Sequence, residues 1–206
     1  MIFHTVNAFD SGDSQVTMQC CRANRYTMAF NRSNDANNWL HPYEWVMNLR
    51  TGAVQERQLC PIRCDFPIVN PKVVSKQHRY SYYSTYRART GDDVPLYDGL
   101  VKLDHSLPVD GKRNPIVIAL ALHLSCAEFS YVARKDAKAE DDGYLITFIY
   151  NEETDNSEFA VYDASNLKSG NGDNCCVGRV CLPQRVPYGF HGNWVPRKDV
   201  DSAINC

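Results

Sequence analysis

Tyr144-Leu145-Ile146-Thr147-Phe148-Ile149-Tyr150, a polar interval from Asn151 to Ser157, and then Glu158-Phe159-Ala160-Val161-Tyr162 form the clearest hairpin in the chain. Both arms are rich in β-branched and aromatic residues, and the interval supplies the Asn, Asp and Ser that turns require. Working outward, the same strand-turn-strand spacing recurs. Tyr43 to Leu49 pairs with Val54 to Leu59 across Arg50-Thr51-Gly52-Ala53, and Ile2 to Phe9 turns at Asp10–Ser14 into a return strand from Gln15 to Cys21. Asp65 to Asn70, His78 to Tyr86, Leu96 to Asp104 and Glu128 to Ala133 are further strand candidates. Period-two alternation places Tyr80, Tyr82, Ser84 and Tyr86 on one face. Asn31 to Asn38 reads as a loop, and Asp163 to Leu167 as one helical turn capped by Asp163. No long segment carries a helical period, although Pro115 to Ser125 is ambiguous because buried strands and helices look alike there. The expectation is an all-β architecture, with sandwich, barrel and propeller all compatible with the periodicity.

At 206 residues the chain can bury a sizeable core. Aliphatic, aromatic and cysteine residues make up 44% of it, as in ordinary globular proteins. A formal net charge of -2 gives no general attraction to nucleic acid or to anionic membrane. The longest apolar run, Ile116 to Leu124, is too short to span a bilayer. It reads as a buried strand, while peripheral membrane contact stays compatible with it. No signal or transit pattern precedes the first strand. The cysteine count is nine, an odd number with irregular spacing, so free thiols and an intracellular setting, cytoplasm or plastid, are expected. Cys60-x3-Cys64 and the Cys175/Cys176/Cys181 group lack the paired spacing of common zinc modules, which makes zinc the least favoured chemistry.

Four stretches carry the chemistry: Phe3-His4-Thr5-Val6-Asn7-Ala8, Asp65-Phe66-Pro67-Ile68-Val69-Asn70, Glu140-Asp141-Asp142-Gly143-Tyr144 and Pro187-Tyr188-Gly189-Phe190-His191-Gly192. Two present a histidine in an apolar setting and two present acids at the mouth of a strand. Gly189 and Gly192 suggest a sharp turn that displays His191. Imidazole is a good ligand for iron, zinc or copper, and a ligating histidine usually donates its other ring N–H to a carboxylate. Singly, each stretch is a core histidine or a turn acid. Their joint occurrence is what carries information.

These four stretches, in this order, resemble the carotenoid cleavage oxygenases. That family includes plant carotenoid and epoxycarotenoid dioxygenases, apocarotenoid and stilbene-cleaving enzymes, and the retinoid isomerohydrolase of the eye. The likeness extends to Tyr97-Asp98-Gly99-Leu100-Val101-Lys102-Leu103-Asp104, to Glu128-Phe129-Ser130-Tyr131-Val132-Ala133-Arg134, and to Ser157–Ala164. The resemblance implies a seven-bladed β-propeller with ferrous iron on its axis, held by four histidines. His4 and His191 match the third and fourth of these. Glu140 matches a carboxylate that orients a ligand, and Asp65 matches the position of another. Members cleave a conjugated carbon–carbon double bond with dioxygen to give two carbonyl products, with the apolar substrate held in a tunnel. Phe3, Phe190 and Trp194 are the expected substrate contacts.

The departures set further expectations. The family's first two iron histidines lie upstream of the segment matched by His4, so residues 1–206 read as one incomplete oxygenase domain, its C-terminal blades, expected to bind iron poorly alone. His41, His78, His105 and His123 read as structural. Asp65 stands where glutamate is usual, and its shorter reach is expected to weaken the contact to His4. Residues 105–125 read as a lineage insertion or an irregular gene model. A non-catalytic propeller-derived protein that binds an apolar ligand or a protein partner is the alternative, as is a stilbene-type substrate for a catalytic chain.

Overall fold

The computed structural model describes residues 1–25, 39–86, 96–107 and 115–204. The loop expected at Asn31–Asn38 and residues 108–114 of the 105–125 irregularity fall outside them. The described residues form three antiparallel meanders, each running outward from an inner strand. The first is β1 (Ile2–Gly12), β2 (Gln15–Arg22), β3 (His41–Asn48) and β4 (Val54–Gln58), in that spatial order. The second is β5 (Cys64–Ile68), β6 (Tyr80–Tyr86), β7 (Tyr97–Asp104) and β8 (Ile116–Ala119). The third contains β10 (Ser130–Ala133), β11 (Gly143–Asn151), β12 (Asn156–Asp163) and β14 (Cys176–Cys181). Between the last two, β9 (Leu124–Cys126) pairs with both β7 and β11, and β13 (Gly170–Asn171) adds a parallel pair to β8. One helix, α1 (Arg197–Ile204), follows near the end. No helix among the described residues is long and apolar enough to cross a membrane.

The alternation that announced the hairpins is a burial pattern. In β11, Leu145, Thr147 and Ile149 point inward while Tyr144, Ile146 and Phe148 do not. At the outer edge of the first meander, Val54-Gln55-Glu56-Arg57-Gln58 is exposed throughout. A polar edge of this kind discourages pairing with other chains. The tyrosine strand β6 behaves differently from the one-faced expectation. Tyr82 and Tyr83 point to opposite faces and both are buried, because the strand is packed on both sides.

Two local expectations are corrected. The run Ile116–Leu124 is not one strand: β8 stops at Ala119, the chain turns, and Leu122 is left exposed before β9. Apolar composition alone could not show that break. Asp163–Leu167 is a turn and not a helix, because Asp163 Oδ1 accepts from Ser165 N at 3.0 Å and from its hydroxyl at 2.6 Å, closing a local side-chain loop.

Gly99 is held in β7 by close approach. A Cβ there would sit 2.2 Å from the Ile118 carbonyl oxygen and 2.7 Å from Thr85 Oγ1. Gly99→Ala should therefore push β7 off β8 and cost about 1–3 kcal/mol. The measurement is a fall in the urea midpoint at constant slope. Gly178→Ala, where nothing lies within 4 Å, is the neutral control.

Candidate metal centre

The three inner strands bring three side chains to one place. His4 lies near the start of β1, Asp65 near the start of β5, and Glu128 just ahead of β10. His4 Nδ1 lies 2.9 Å from Asp65 Oδ1. The segment after β14 crosses this end of the strands and carries His191, whose Nδ1 is 3.2 Å from Glu128 Oε2. The same carboxylate oxygen accepts from Gly192 N at 3.1 Å, which fixes the segment as well as the ring. The imidazole centroids of His4 and His191 are 5.2 Å apart.

The tautomers follow from the partners. An ionised carboxylate only accepts, so Nδ1 of each ring carries the hydrogen and Nε2 keeps its lone pair. Two bare Nε2 atoms on neighbouring rings, each ring oriented by an acid, are the donor chemistry of a histidine metal site. The residues present therefore fit a histidine-bound metal. Among the described residues no group of three or more His, Cys, Asp and Glu side chains could hold a metal ion, so a metal bound here would take no more than this pair from them.

Asp65 is 1% exposed. Besides His4 it accepts from Tyr86 Oη at 3.3 Å. The expected loss of reach relative to glutamate is overturned, since the contact is an ordinary short hydrogen bond. The backbone explains this. Phe66, next in sequence, adopts φ 50°, and the β5–β6 register shifts between Asp65 and Ile68. That irregularity re-aims the strand at the site, as bulges do. It also places the Phe66 ring 5.4 Å from His4 and 5.3 Å from His191, packed on Tyr97 at 4.7 Å. A bulky side chain at positive φ is strained and is found where function or packing over-determines it.

Glu140 does not orient either histidine. Its carboxylate accepts from Arg79 N at 2.9 and 3.0 Å and from Tyr80 N at 2.7 Å. The whole Glu140–Gly143 stretch is structural. Asp141 accepts from the buried Lys102 at 2.6 Å, Asp142 accepts from Arg134 Nε at 2.8 Å, and a Cβ at Gly143 would meet Tyr131 Oη at 2.5 Å. The carboxylate on His191 is Glu128, a residue that the sequence reading does not single out. Its signal was positional, just ahead of an inner strand. The chain does bend at Phe190, but without the left-handed glycine backbone expected of Gly189 and Gly192. Neither glycine has positive φ, and an added Cβ at either meets nothing within 4 Å. Display of His191 rests on Glu128 instead.

The remaining expected contacts are placed as follows. Phe3 stands edge-on to His4 at 4.7 Å. Phe190 and Trp194 line a cavity of about 410 Å³ with Phe148, Phe159 and His191. His41 Nδ1 donates to Trp39 O at 3.1 Å, His78 and His105 pack on each other at 4.9 Å, and His123 lies 3.7 Å from Glu153.

Burial alone would lower the pKa of His4, but its bond to Asp65 and the charges of Asp65 and Glu128 raise it above the ordinary 6.5. A histidine raised on folding stabilises the protein fully below its unfolded pKa and loses that contribution as pH rises through its folded pKa. Metal-free protein should therefore show a stability decrement on the alkaline side of pH 6.5 that disappears in Asp65→Asn. Thermal melts across that range, paired with an NMR titration of the His4 ring, measure it.

Comparison with known proteins gives a consistent picture. A family model described as retinal pigment epithelial membrane protein matches residues 1–196. The chain is 32% identical over 209 residues to a carotenoid 9,10(9',10')-cleavage dioxygenase of Crocus sativus, covering 94% of this chain and 36% of that protein. It superposes on a variant of Synechocystis apocarotenoid oxygenase with a TM-score of 0.79 and 23% identity, over 95% of this chain and 39% of that one. A cobalt-substituted form of the Synechocystis protein gives 0.77 and 20%, with the same coverages. The shared fold is a seven-bladed β-propeller, of which the described sheets form part without closing the ring. The chain spans little over a third of the length of these relatives.

Proposed function

Because the chain belongs to the carotenoid cleavage oxygenase family, we propose that His4 and His191 supply two ligands of an Fe(II) centre for oxidative cleavage of a conjugated carbon–carbon double bond in a carotenoid or apocarotenoid. The observation that carries this reading is the pair of carboxylate-oriented rings 5.2 Å apart. In the overall change, the carbon–carbon and oxygen–oxygen double bonds break and two carbonyl groups form, one oxygen atom to each carbon. Iron, when bound, supplies activation of dioxygen, which closed-shell organic substrates do not provide.

This chain's residues do the rest. Asp65 and Glu128 fix the tautomers, so that Nε2 of each ring is the donor. Both also place negative charge near neutral imidazoles that leave the metal charge uncompensated. Phe66 and Phe3 wall the rings with apolar surface. Phe190, Trp194, Phe148 and Phe159 offer a polyene flat contacts and exclude water.

The test is anaerobic Fe(II) titration of the purified chain, followed by supply of a β-apocarotenal and dioxygen. His4→Ala and His191→Ala should each weaken iron binding about tenfold or more. Carbonyl products should track the bound iron, and both amounts should be small for this chain alone. Iron binding unchanged in both variants overturns the assignment. The apolar cavity favours one second reading, a non-catalytic binder of an apolar ligand. Saturable apocarotenal binding that survives both substitutions, with no product formed, would select it.

A further inference from the structure

The second carboxylate oxygen of Asp65 also has a partner. Oδ1 accepts from His4 Nδ1–H at 2.9 Å, and Oδ2 accepts from the Tyr86 hydroxyl at 3.3 Å. Both side chains are buried, Asp65 at 1% and Tyr86 at 5% exposure. Among the described residues no lysine or arginine forms an ion pair with this carboxylate, so its charge is met by the imidazole and by neutral donors.

The fold delivers Tyr86 to that oxygen. Asp65 and Tyr86 each sit where strand pairing is irregular. The β5–β6 register shifts between Asp65 and Ile68, and the β6–β7 register shifts between Thr85 and Tyr86. Such irregularities re-aim a side chain. Tyr86 N donates to Arg63 O at 3.1 Å, which fixes the main chain beyond the shift. Its ring is held on two sides, stacked on Tyr97 at 4.9 Å and edge-on to Trp39 at 5.0 Å. Tyr97 packs in turn on Phe66, the residue next to Asp65. The ring, and with it the hydroxyl oxygen, has little room to move.

A carboxylate bonded through one oxygen can still swing about its Cβ–Cγ bond. A donor on the other oxygen fixes its plane, and the plane decides where Oδ1 points. Oδ1 sets the angle of the His4 ring and keeps hydrogen on Nδ1. A separation of 3.3 Å is long for a hydroxyl bonded to a charged oxygen, so the hold is directional more than strong. The fully buried Cys21 thiol brings no competing charge, because burial first and the charge of Asp65 second push it well above its ordinary 9.0.

We propose that Tyr86 is a positioning residue of the metal centre, its hydroxyl fixing the plane of the Asp65 carboxylate, which in turn aims His4 Nε2. The inference rests on the assignment of His4 as a ligand. Tyr86 itself touches neither metal nor substrate.

The test is a double-mutant cycle on the purified chain. Co(II) affinity is measured by anaerobic titration for the unmodified chain, Tyr86→Phe, Asp65→Ala and the double variant. Tyr86→Phe keeps the ring and loses one oxygen. It should weaken binding about three- to tenfold, and should cost nothing further once Asp65 is alanine. In metal-free protein the His4 Nδ1–H proton resonance should move or broaden in Tyr86→Phe. An unmoved resonance, an unchanged affinity, or an equal loss in both backgrounds (the mark of a merely structural role) overturns the proposal. If Asp65→Ala lowers affinity and Tyr86→Phe does not, only the role of Tyr86 falls. If neither lowers it, the assignment of His4 falls as well. Should Tyr86→Phe fail to fold, the unmodified chain decides: a slowly exchanging Tyr86 hydroxyl resonance supports the proposal, and rapid exchange overturns it.

Discussion

Asp65→Ala should lower the affinity of the chain for Fe(II), or for Co(II) as a spectroscopic substitute, about 10–100-fold, although Asp65 touches no metal. The carboxylate has one short bond to His4 and is buried, so nothing from solvent can replace it. Without it the His4 ring loses the partner that keeps hydrogen on Nδ1, and its rotation about Cβ is restrained by ring contacts with Phe3, Phe66 and His191. Asp65→Asn separates geometry from charge. Its amide oxygen still accepts from Nδ1–H, so affinity should fall between those of the other two proteins. Anaerobic titration followed by cobalt absorption reads all three. Equal affinity in all three would remove His4 from the ligand set.

Lys102→Ala should destabilise the fold by about 3–5 kcal/mol, the cost of breaking a buried ion pair from one side. Lys102 is an inward residue of β7 with a 6% exposed side chain. Its ammonium donates to Asp141 at 2.6 Å and to Ala164 O at 2.8 Å, and lies 4.1 Å from the centre of the Tyr80 ring. Removal leaves a carboxylate and a carbonyl in low dielectric with no donor. Domains of this size have total stabilities near 5–15 kcal/mol, so the loss takes a large share of the total. Replacing both partners, Lys102→Met with Asp141→Leu, should recover much of the loss, because it removes the unpaired charge. Urea denaturation measures each variant, and a loss below about 1 kcal/mol for Lys102→Ala would mean that the pair is solvated.

What the sequence disclosed follows from the range over which each signal acts. β11 and β12 are legible because one face of each is buried and the turn between them is local. The chain break at Leu120–Leu122 is not, since apolar residues on either side of it are equally suited to a strand. β13, β14 and α1 carried no period long enough to read. In the site, His4, His191 and Asp65 stand in distinctive local settings. Glu128 does not: its link to His191 spans 63 positions and exists only once the third meander and the terminal segment are in place. Glu140 misleads for the complementary reason. An acid beside a strand entrance is as suited to capping backbone N–H groups as to holding an imidazole, and Arg79 and Tyr80 supply those groups. The left-handed backbone of Phe66 has no sequence signal at all, as phenylalanine is a poor choice for it.

The placement of His4, Asp65 and Glu128 on three different inner strands has a consequence for the order of assembly. No single meander contains a proposed ligand together with the acid bonded to it. His4 of the first needs Asp65 of the second, and His191 needs Glu128 of the third. The centre is therefore not a motif that one unit can form early and carry along. It comes into being only once the three meanders and the terminal segment are all in place. On the proposed reading, a metal seated there would act as a keystone, its binding free energy adding to the contacts between meanders.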